Sequence, residues 1–223
     1  MQVTARARRV FRRLARRKLN LPWKAAALLM VRDYGSYRQY LNHQASKLEV
    51  EGDLSGRNQR FREALFARLG QLHHDCHGAR VLCLGARNGS EVQAFLDAGA
   101  FAVGIDLNPG PRNRFVLAGD FHDIQFPDHS VDIVYSNTFD HALNLSVLLE
   151  QVRRILTRNG ILMVEACRGS DEGGVFMEWE STAWRNVGDL IRVVEAAAFR
   201  PICQVPIAVP FNGFHIQFTP IER

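Results

Sequence analysis

Cysteine is scarce in this chain of 223 residues: Cys76, Cys83, Cys167 and Cys203 lie far apart and form no CxxC pair. That spacing suits a reducing compartment better than a disulfide framework. Long apolar runs are also missing. The longest, "AAALLMV" at 25–31, is far short of the roughly 20 residues a membrane-spanning helix needs. No small-residue cleavage site follows it, which argues against a secretory signal. There is no internal repeat and no low-complexity linker. Acidic residues are absent from positions 1–32, which carry ten Lys or Arg.

That last absence organises the charge. The net charge is +5, yet residues 33–223 hold 18 basic and 23 acidic side chains. The positive charge belongs to one arm and the body is mildly acidic, so a nucleic-acid role would rest on the arm alone. An Arg-rich, acid-free start resembles a mitochondrial presequence but lacks the usual serines. Residues 3–19 read as a basic helix with Val3, Ala7, Val10 and Leu14 on one side. It is either a solvated arm, an interfacial helix with Phe11 and Trp23 at an anionic lipid surface, or a phosphate-backbone binder. Hydrophobic residues make up 47%, enough for the core of one α/β domain with an N-terminal extension.

Three segments are expected: a basic amphipathic arm (1–32), N-terminal helices forming a substrate-side cap (33–78), and the main domain (79–223). The cap reads as helices over about 34–48, with Tyr37, Leu41 and Leu48 on one side, and about 57–77, with Phe61, Leu65, Leu69 and Leu72 in register and Gly78 as the stop. From residue 79 strands and helices alternate. "ARVLCLGA", "FAVGIDL", "FVLAGD", "VDIVYSN" and "ILMVEAC" read as strands. "SEVQAFLDAGA", "LSVLLEQVRRILTRNG" and "TAWRNVGDLIRVVEAAAF" read as helices. "RPICQVPIAV" and "GFHIQFTP" follow with no helix between them, as a hairpin with one antiparallel strand. The expected fold is α/β, a doubly wound, mostly parallel seven-stranded sheet.

In such a sheet the ligand binds at the carboxyl ends of the strands. Those ends read Gly85-Ala86-Arg87-Asn88-Gly89, Asp106, Asp120-Phe121 and Ser136-Asn137. Gly85 permits a sharp turn and close backbone approach. The N–H groups opening the next helix can bind an anion. Asp106 can accept from both hydroxyls of a ribose. Asp120 can accept from an exocyclic amine, and Phe121 can offer a ring face. A dinucleotide loop needs glycines at positions one, three and six. Here they stand at one and five, the G-x-G-x-G spacing of methyl-donor enzymes with the middle glycine replaced.

From about residue 79 to 200 the chain resembles class I S-adenosylmethionine (SAM)-dependent methyltransferases of the small-molecule, type 11-like branch. The resemblance rests on "VLCLGARNGSEV", "GIDLNPG", "AGDFHDIQFPDHSVDIVYSN" and "VRRILTRNGILMVEA". It implies a Rossmann-like fold and SAM as cofactor. Gly85, Ala86 and Gly89 would line the methionine end, with Asn88 in the same turn. Asp106 would hold the ribose, with Leu107 beside the adenine. Asp120 and Phe121 would contact the adenine, and Ser136 would lie near the sulfonium beside Asn137. Three features depart from the family pattern: Cys83 replaces an acid, Arg87 replaces the middle glycine, and "NPGPRNR" replaces a helix. Arg87 either pairs with the methionine carboxylate or points to solvent.

Methyl transfer from a sulfonium is an in-line displacement that positioning can drive. A hydroxyl acceptor also needs a general base. The candidate is His141, oriented by Asp140; alternatively the pair caps the next helix. His122 is a weaker candidate. "HHDCH" at 73–77 reads as a polar helix terminus rather than a metal site. The loop "RGSDEGGVFMEWEST" reads as a lid, and its acids Asp171, Glu172, Glu178 and Glu180 disfavour a phosphate backbone as acceptor. The expected function is methyl transfer from SAM to a small-molecule, glycan or lipid-linked acceptor, in the cytoplasm or at an anionic membrane surface contacted through residues 1–24. The alternatives are a SAM-binding regulatory module and a nucleic-acid methyltransferase recruited by the arm.

Overall fold

The computed structural model describes residues 21–45, 47, 55–71 and 75–221. The expected basic helix at 3–19 and the first two residues of "HHDCH" lie outside them. Seven strands form the main sheet: β3 (Arg80–Leu84), β4 (Phe101–Asp106), β5 (Val116–Ala118), β6 (Val131–Ser136), β7 (Leu156–Cys167), β9 (Phe199–Ile207) and β10 (Gly213–Pro220). Their order is β5-β4-β3-β6-β7-β10-β9. The first five run parallel, and β10 is antiparallel to both β7 and β9. The expected seven-stranded Rossmann-like sheet and its terminal hairpin are therefore present.

Alternation along the strands builds two cores. Leu82, Leu84, Val134 and Val164 face α4 (Leu145–Ile155) and α5 (Val187–Ala196), while Val81, Cys83, Ile133 and Met163 face α2 (Ser55–Leu69) and α3 (Ser90–Asp97). Burial on both faces explains why these strands read as apolar runs rather than as alternating ones. The chain turns one way from β3 through β4 to β5 and the other way from β6 onward. The crevice thus opens between the carboxyl ends of β3 and β6.

Four boundaries differ from the sequence reading. Residues expected in the arm form a hairpin, β1 (Trp23–Ala26) and β2 (Leu29–Arg32). β2 pairs with β8 (Thr182–Trp184), a segment expected to open the last helix. That helix instead starts after Asn186, whose side chain accepts from the Asp189 N–H (3.0 Å) as a cap. α2 ends at Leu69, well before Gly78. α4 ends at Ile155, because Leu156 is drawn into register with Val131, and Asn159-Gly160 lies within β7 rather than closing a helix.

The hairpin is pinned by a buried cation. Arg32 donates through Nε to the Glu180 carbonyl (2.5 Å), through one terminal nitrogen to the Leu21 carbonyl (2.8 Å), and through the other to the Met177 carbonyl. Its guanidinium also lies 4.4 Å from the Trp23 ring centroid. Trp23 is thereby committed to the fold rather than to an interfacial helix. The same bonds fix the loop ahead of β8, which reaches the functional crevice.

Candidate functional site

The turn after β3 carries three consecutive odd positions in the left-handed region: Gly85 (φ 66°), Arg87 (φ 39°) and Gly89 (φ 81°). Glycine enters this region at no steric cost, whereas an L side chain does so under strain. Arg87 is held there by its own N–H, which donates to Asp106 Oδ2 (3.0 Å). Asp106 Oδ1 accepts from the Asn108 N–H (2.8 Å). Each carboxylate oxygen retains a further lone pair. The loop expected in place of a helix is knitted by Asn113. It donates to the carbonyls of Arg87 and Pro109 and accepts from the N–H groups of Phe115 and Val116.

A cavity of about 60 Å³ opens at these strand ends. Six expected residues line it: Gly85, Arg87, Asp106, Leu107, Phe121 and His141. Five do so unexpectedly: Tyr40, Gln44, Lys47, Asn108 and Thr138. Tyr40 and Gln44 lie on α1 (Tyr37–Ala45), with Lys47 just beyond it. Their spacing of i, i+4, i+7 puts them on one helical face, a signal legible in the sequence. The cavity is smaller than the roughly 300 Å³ at which small-molecule sites begin. The side chains that narrow it from one side come from this segment. Asn108 ties the two walls together by donating to the Ala45 carbonyl (2.9 Å).

The remaining expected residues do not line the cavity. Asn88 is exposed, Ala86 is buried beneath the turn, and Gly89 caps α3. Ser136 is fully buried, with its hydroxyl 3.0 Å from Thr138 Oγ1, and Asn137 is half-buried. Ser136 and Thr138 share a side, but Ser136 is still within β6 and buried, whereas Thr138, past the strand's end, reaches the crevice. Asp120 is claimed from outside: the Tyr37 hydroxyl donates to Oδ2, while the His122 N–H donates to Oδ1 (2.9 Å). Burial opposes its charge, but the bonds from His122 and Tyr37 hold Asp120 below the usual carboxylate range. His122, considered as a base, is thereby tied to Asp120, with Nδ1 at 3.0 Å from Oδ1.

His141 is held differently from expectation. Its Nε2 is 3.9 Å from the nearest Asp140 oxygen, too far for a hydrogen bond. Nδ1 instead lies 2.9 Å from the Trp179 carbonyl, and Nε2 lies 2.9 Å from Lys47 Nζ. An ammonium can only donate, so Nε2 accepts, and Nδ1–H donates to the carbonyl. Burial, reinforced by Lys47, pushes the imidazole well below its ordinary value. Asp140 therefore does not orient His141. Nor does the pair cap the following helix, since that cap is Asn144, accepting from the N–H groups of Ser146 and Val147.

One buried acid beside the turn carries a pH signature. Glu91, in the first turn of α3, is 5% exposed, and burial pushes its pKa from 4.5 up to about 8, against the pull of Arg87. The folded state therefore prefers the protonated acid. That stabilisation is complete below the unfolded pKa and is lost as pH rises through the folded one, by an amount on the order of a few kcal/mol. Glu91→Gln should be more stable than the parent at pH 9 and close to it at pH 5. Urea unfolding across that range checks this; parallel pH profiles for the two proteins would overturn it.

Residues 82–164 match a family model described as "Methyltransferase domain". The fold is that of a class I SAM-dependent methyltransferase. The *Burkholderia thailandensis* 1,6-didemethyltoxoflavin-N1-methyltransferase, solved with 1,6-didemethyltoxoflavin and S-adenosylhomocysteine, is similar at TM-score 0.65 and 17% identity, over 91% of this chain and 100% of that one. A SAM-dependent methyltransferase from *Aquifex aeolicus* is similar at TM-score 0.57 and 18% identity, over 79% and 98%. A chain of the complex between the *Haloferax volcanii* Trm112 methyltransferase activator and a methyltransferase is similar at TM-score 0.62 and 20% identity, over 82% and 98%. No curated protein matches in sequence.

The residues at the strand ends fit S-adenosylmethionine. Asp106 keeps lone pairs for a ribose diol, Leu107 and Phe121 offer apolar walls to a base, and the left-handed turn brings backbone close to a ligand. Arg87 lines the same cavity.

Proposed function

We propose that this protein transfers a methyl group from SAM to a small-molecule, glycan or lipid-linked acceptor. The observation that carries the reading is Asp106. Its carboxylate is fixed by two backbone N–H groups at the switch point of the sheet, beside a turn that meets the cavity. SAM supplies the electrophilic methyl group when bound. The chain's own part is to hold the ribose at Asp106, to place the methionine end against Gly85 and Arg87, and to narrow the cavity with Tyr40, Gln44 and Lys47. His141, which lines the same cavity, is the base in this reading. Its Nε2 becomes available to an acceptor proton once Lys47 withdraws.

An apolar or amphipathic acceptor is supported by the loop ahead of β8, where Val175 is 77% and Met177 57% exposed. With the basic arm as a contact for anionic lipid, the reading extends to a location in the cytoplasm or peripheral at a membrane surface. Among the described residues no helix is long and apolar enough to cross one. Nucleic acid is disfavoured as acceptor by Glu178 and Glu180 in that same loop. A test of the arm should remove residues 1–20 only, because a longer cut destroys the hairpin.

Calorimetry with S-adenosylhomocysteine tests the cofactor reading. Asp106→Ala removes a charged hydrogen-bonding partner worth roughly 1.5–3 kcal/mol, so affinity should fall by about 10- to 150-fold. No heat and no thermal shift with near-millimolar SAM or S-adenosylhomocysteine on the parent protein would overturn the reading. Tight binding without turnover of any acceptor would instead favour a regulatory module, the reading that Cys83 and the strained Arg87 support.

A further inference from the structure

Asp140, His141 and Glu180 each bring one potential ligand atom to within 4.8 Å of the other two. They come from separate parts of the chain: the 3-10 turn Phe139–His141 after β6, and the loop ahead of β8. Backbone, not the side chains themselves, joins these segments. The Ser181 N–H donates to the Asp140 carbonyl (2.7 Å), the Thr182 hydroxyl donates to the Ala142 carbonyl (2.6 Å), and Arg32 holds the carbonyl of Glu180. The constellation is therefore preorganised by the fold.

The imidazole has the orientation that a ligand needs. Nδ1 is anchored on the Trp179 carbonyl, which fixes the tautomer and leaves the Nε2 lone pair to meet a cation. A backbone carbonyl on the far nitrogen is the usual outer support of a metal-bound histidine. Nε2 and Asp140 Oδ1 stand 3.9 Å apart, a separation that two ligands at about 2.0–2.2 Å from one ion can span. A cation already meets this nitrogen, the Lys47 ammonium at 2.9 Å.

We propose that Asp140, His141 and Glu180 form a divalent-cation site, with the Lys47 ammonium as a tethered competitor for the same lone pair. One imidazole and two carboxylates suit a first-row ion such as Mn²⁺, Fe²⁺ or Zn²⁺. His141 also lines the cavity, so the ion would lie at its edge, where it can bind and polarise an oxygen of an acceptor. The site does not depend on the methyl-transfer reading, because it can be measured without SAM.

The experiment uses the full chain, stripped with a chelator, and Mn²⁺ as the probe. Binding is read by calorimetry and by the loss of the free-ion electron paramagnetic resonance signal. The expected result is one strong site. Glu180→Gln should weaken it at least tenfold, and Lys47→Met should tighten it by a similar factor. Far-ultraviolet circular dichroism and the melting temperature of each variant show that it folds. Asp140→Asn is the second variant, expected to weaken the site as Glu180→Gln does. Mn²⁺ binding that is absent below millimolar concentration, or that is unchanged in both carboxylate variants, would overturn the site. So would unchanged affinity in Lys47→Met, as far as the competition is concerned.

Discussion

Gly85→Ala is expected to reduce S-adenosylhomocysteine affinity at least about 30-fold, the largest loss any single methyl group should cause in this protein. Two effects combine. An alanine Cβ at this position would stand 2.4 Å from Thr138 Oγ1 and 3.0 Å from its Cγ2. The φ of +66° also places an L residue in the left-handed region, at roughly 1–2 kcal/mol. Thr138 cannot simply rotate away, because its hydroxyl donates to the Leu84 carbonyl (3.2 Å) and meets Ser136 Oγ at 3.0 Å. The clash must therefore move the end of β3 or of β6, and these are the two walls of the crevice. A shift of about 1 Å at a positioned site commonly costs about a hundredfold. The melting temperature should fall by only about 2–8 °C, since the strain is local. The double variant Gly85→Ala/Thr138→Ala removes the Oγ1 and Cγ2 contacts but keeps the Cβ at 3.1 Å and the backbone strain, so it should recover part of the affinity. Calorimetry on the three variants checks the argument. Gly85→Ala binding like the parent would sink it.

The strand ends were legible because a doubly wound sheet has one place for a ligand, and the apolar runs locate their own ends. Gly85, Arg87, Asp106, Leu107, Phe121 and His141 were found in this way, and all six line one cavity. What an apolar run does not disclose is how deep its last residues lie. Ser136 was expected where Thr138 stands; the two share a side, but Ser136 is buried within β6 and only Thr138, two residues on, reaches the cavity. Asp120 illustrates a different limit. It ends the right segment, but a tyrosine on α1 takes one of its oxygens, and nothing in the local sequence records a partner so distant. The helix face bearing Tyr40, Gln44 and Lys47 was readable in principle. It was missed because its role depends on where α1 lies, and Asn108 and Gln44 fix that through long-range bonds.

The hairpin at 23–32 lies deeper beyond local reading. "AAALLMV" has neither a helical nor an alternating period, and its strands form because β8 arrives from the far end of the chain to pair with β2. Tertiary context then overrides local pattern. The polar groups on the sheet's α2-facing side were hidden for a related reason. Glu165 sits in "ILMVEAC", an otherwise apolar strand, and its partner comes from a helix expected to serve only as a cap.

That partner sets the largest stability effect. Glu165 is fully buried in β7, and Arg68 of α2 reaches it with Nε at 2.8 Å and a terminal nitrogen at 2.6 Å from Oε1. His215 Nδ1 lies 3.3 Å from the same oxygen, and Arg68 also donates to the Val209 carbonyl (3.1 Å). Oε2 makes no hydrogen bond among the described residues. The carboxylate therefore depends on Arg68 for its main compensation. Arg68→Met keeps the apolar stem on α2 and removes only the guanidinium, leaving a buried charge that should cost about 3–5 kcal/mol. The double variant Arg68→Met/Glu165→Leu removes both charges and should be clearly more stable than Arg68→Met alone, since a buried pair replaced together is often neutral. Urea unfolding of the two variants and the parent measures the difference. If Arg68→Met costs less than about 1 kcal/mol, the value of an exposed pair, then Glu165 is compensated by other groups and the helix is held to the sheet by Phe61, Leu65 and Leu69 alone.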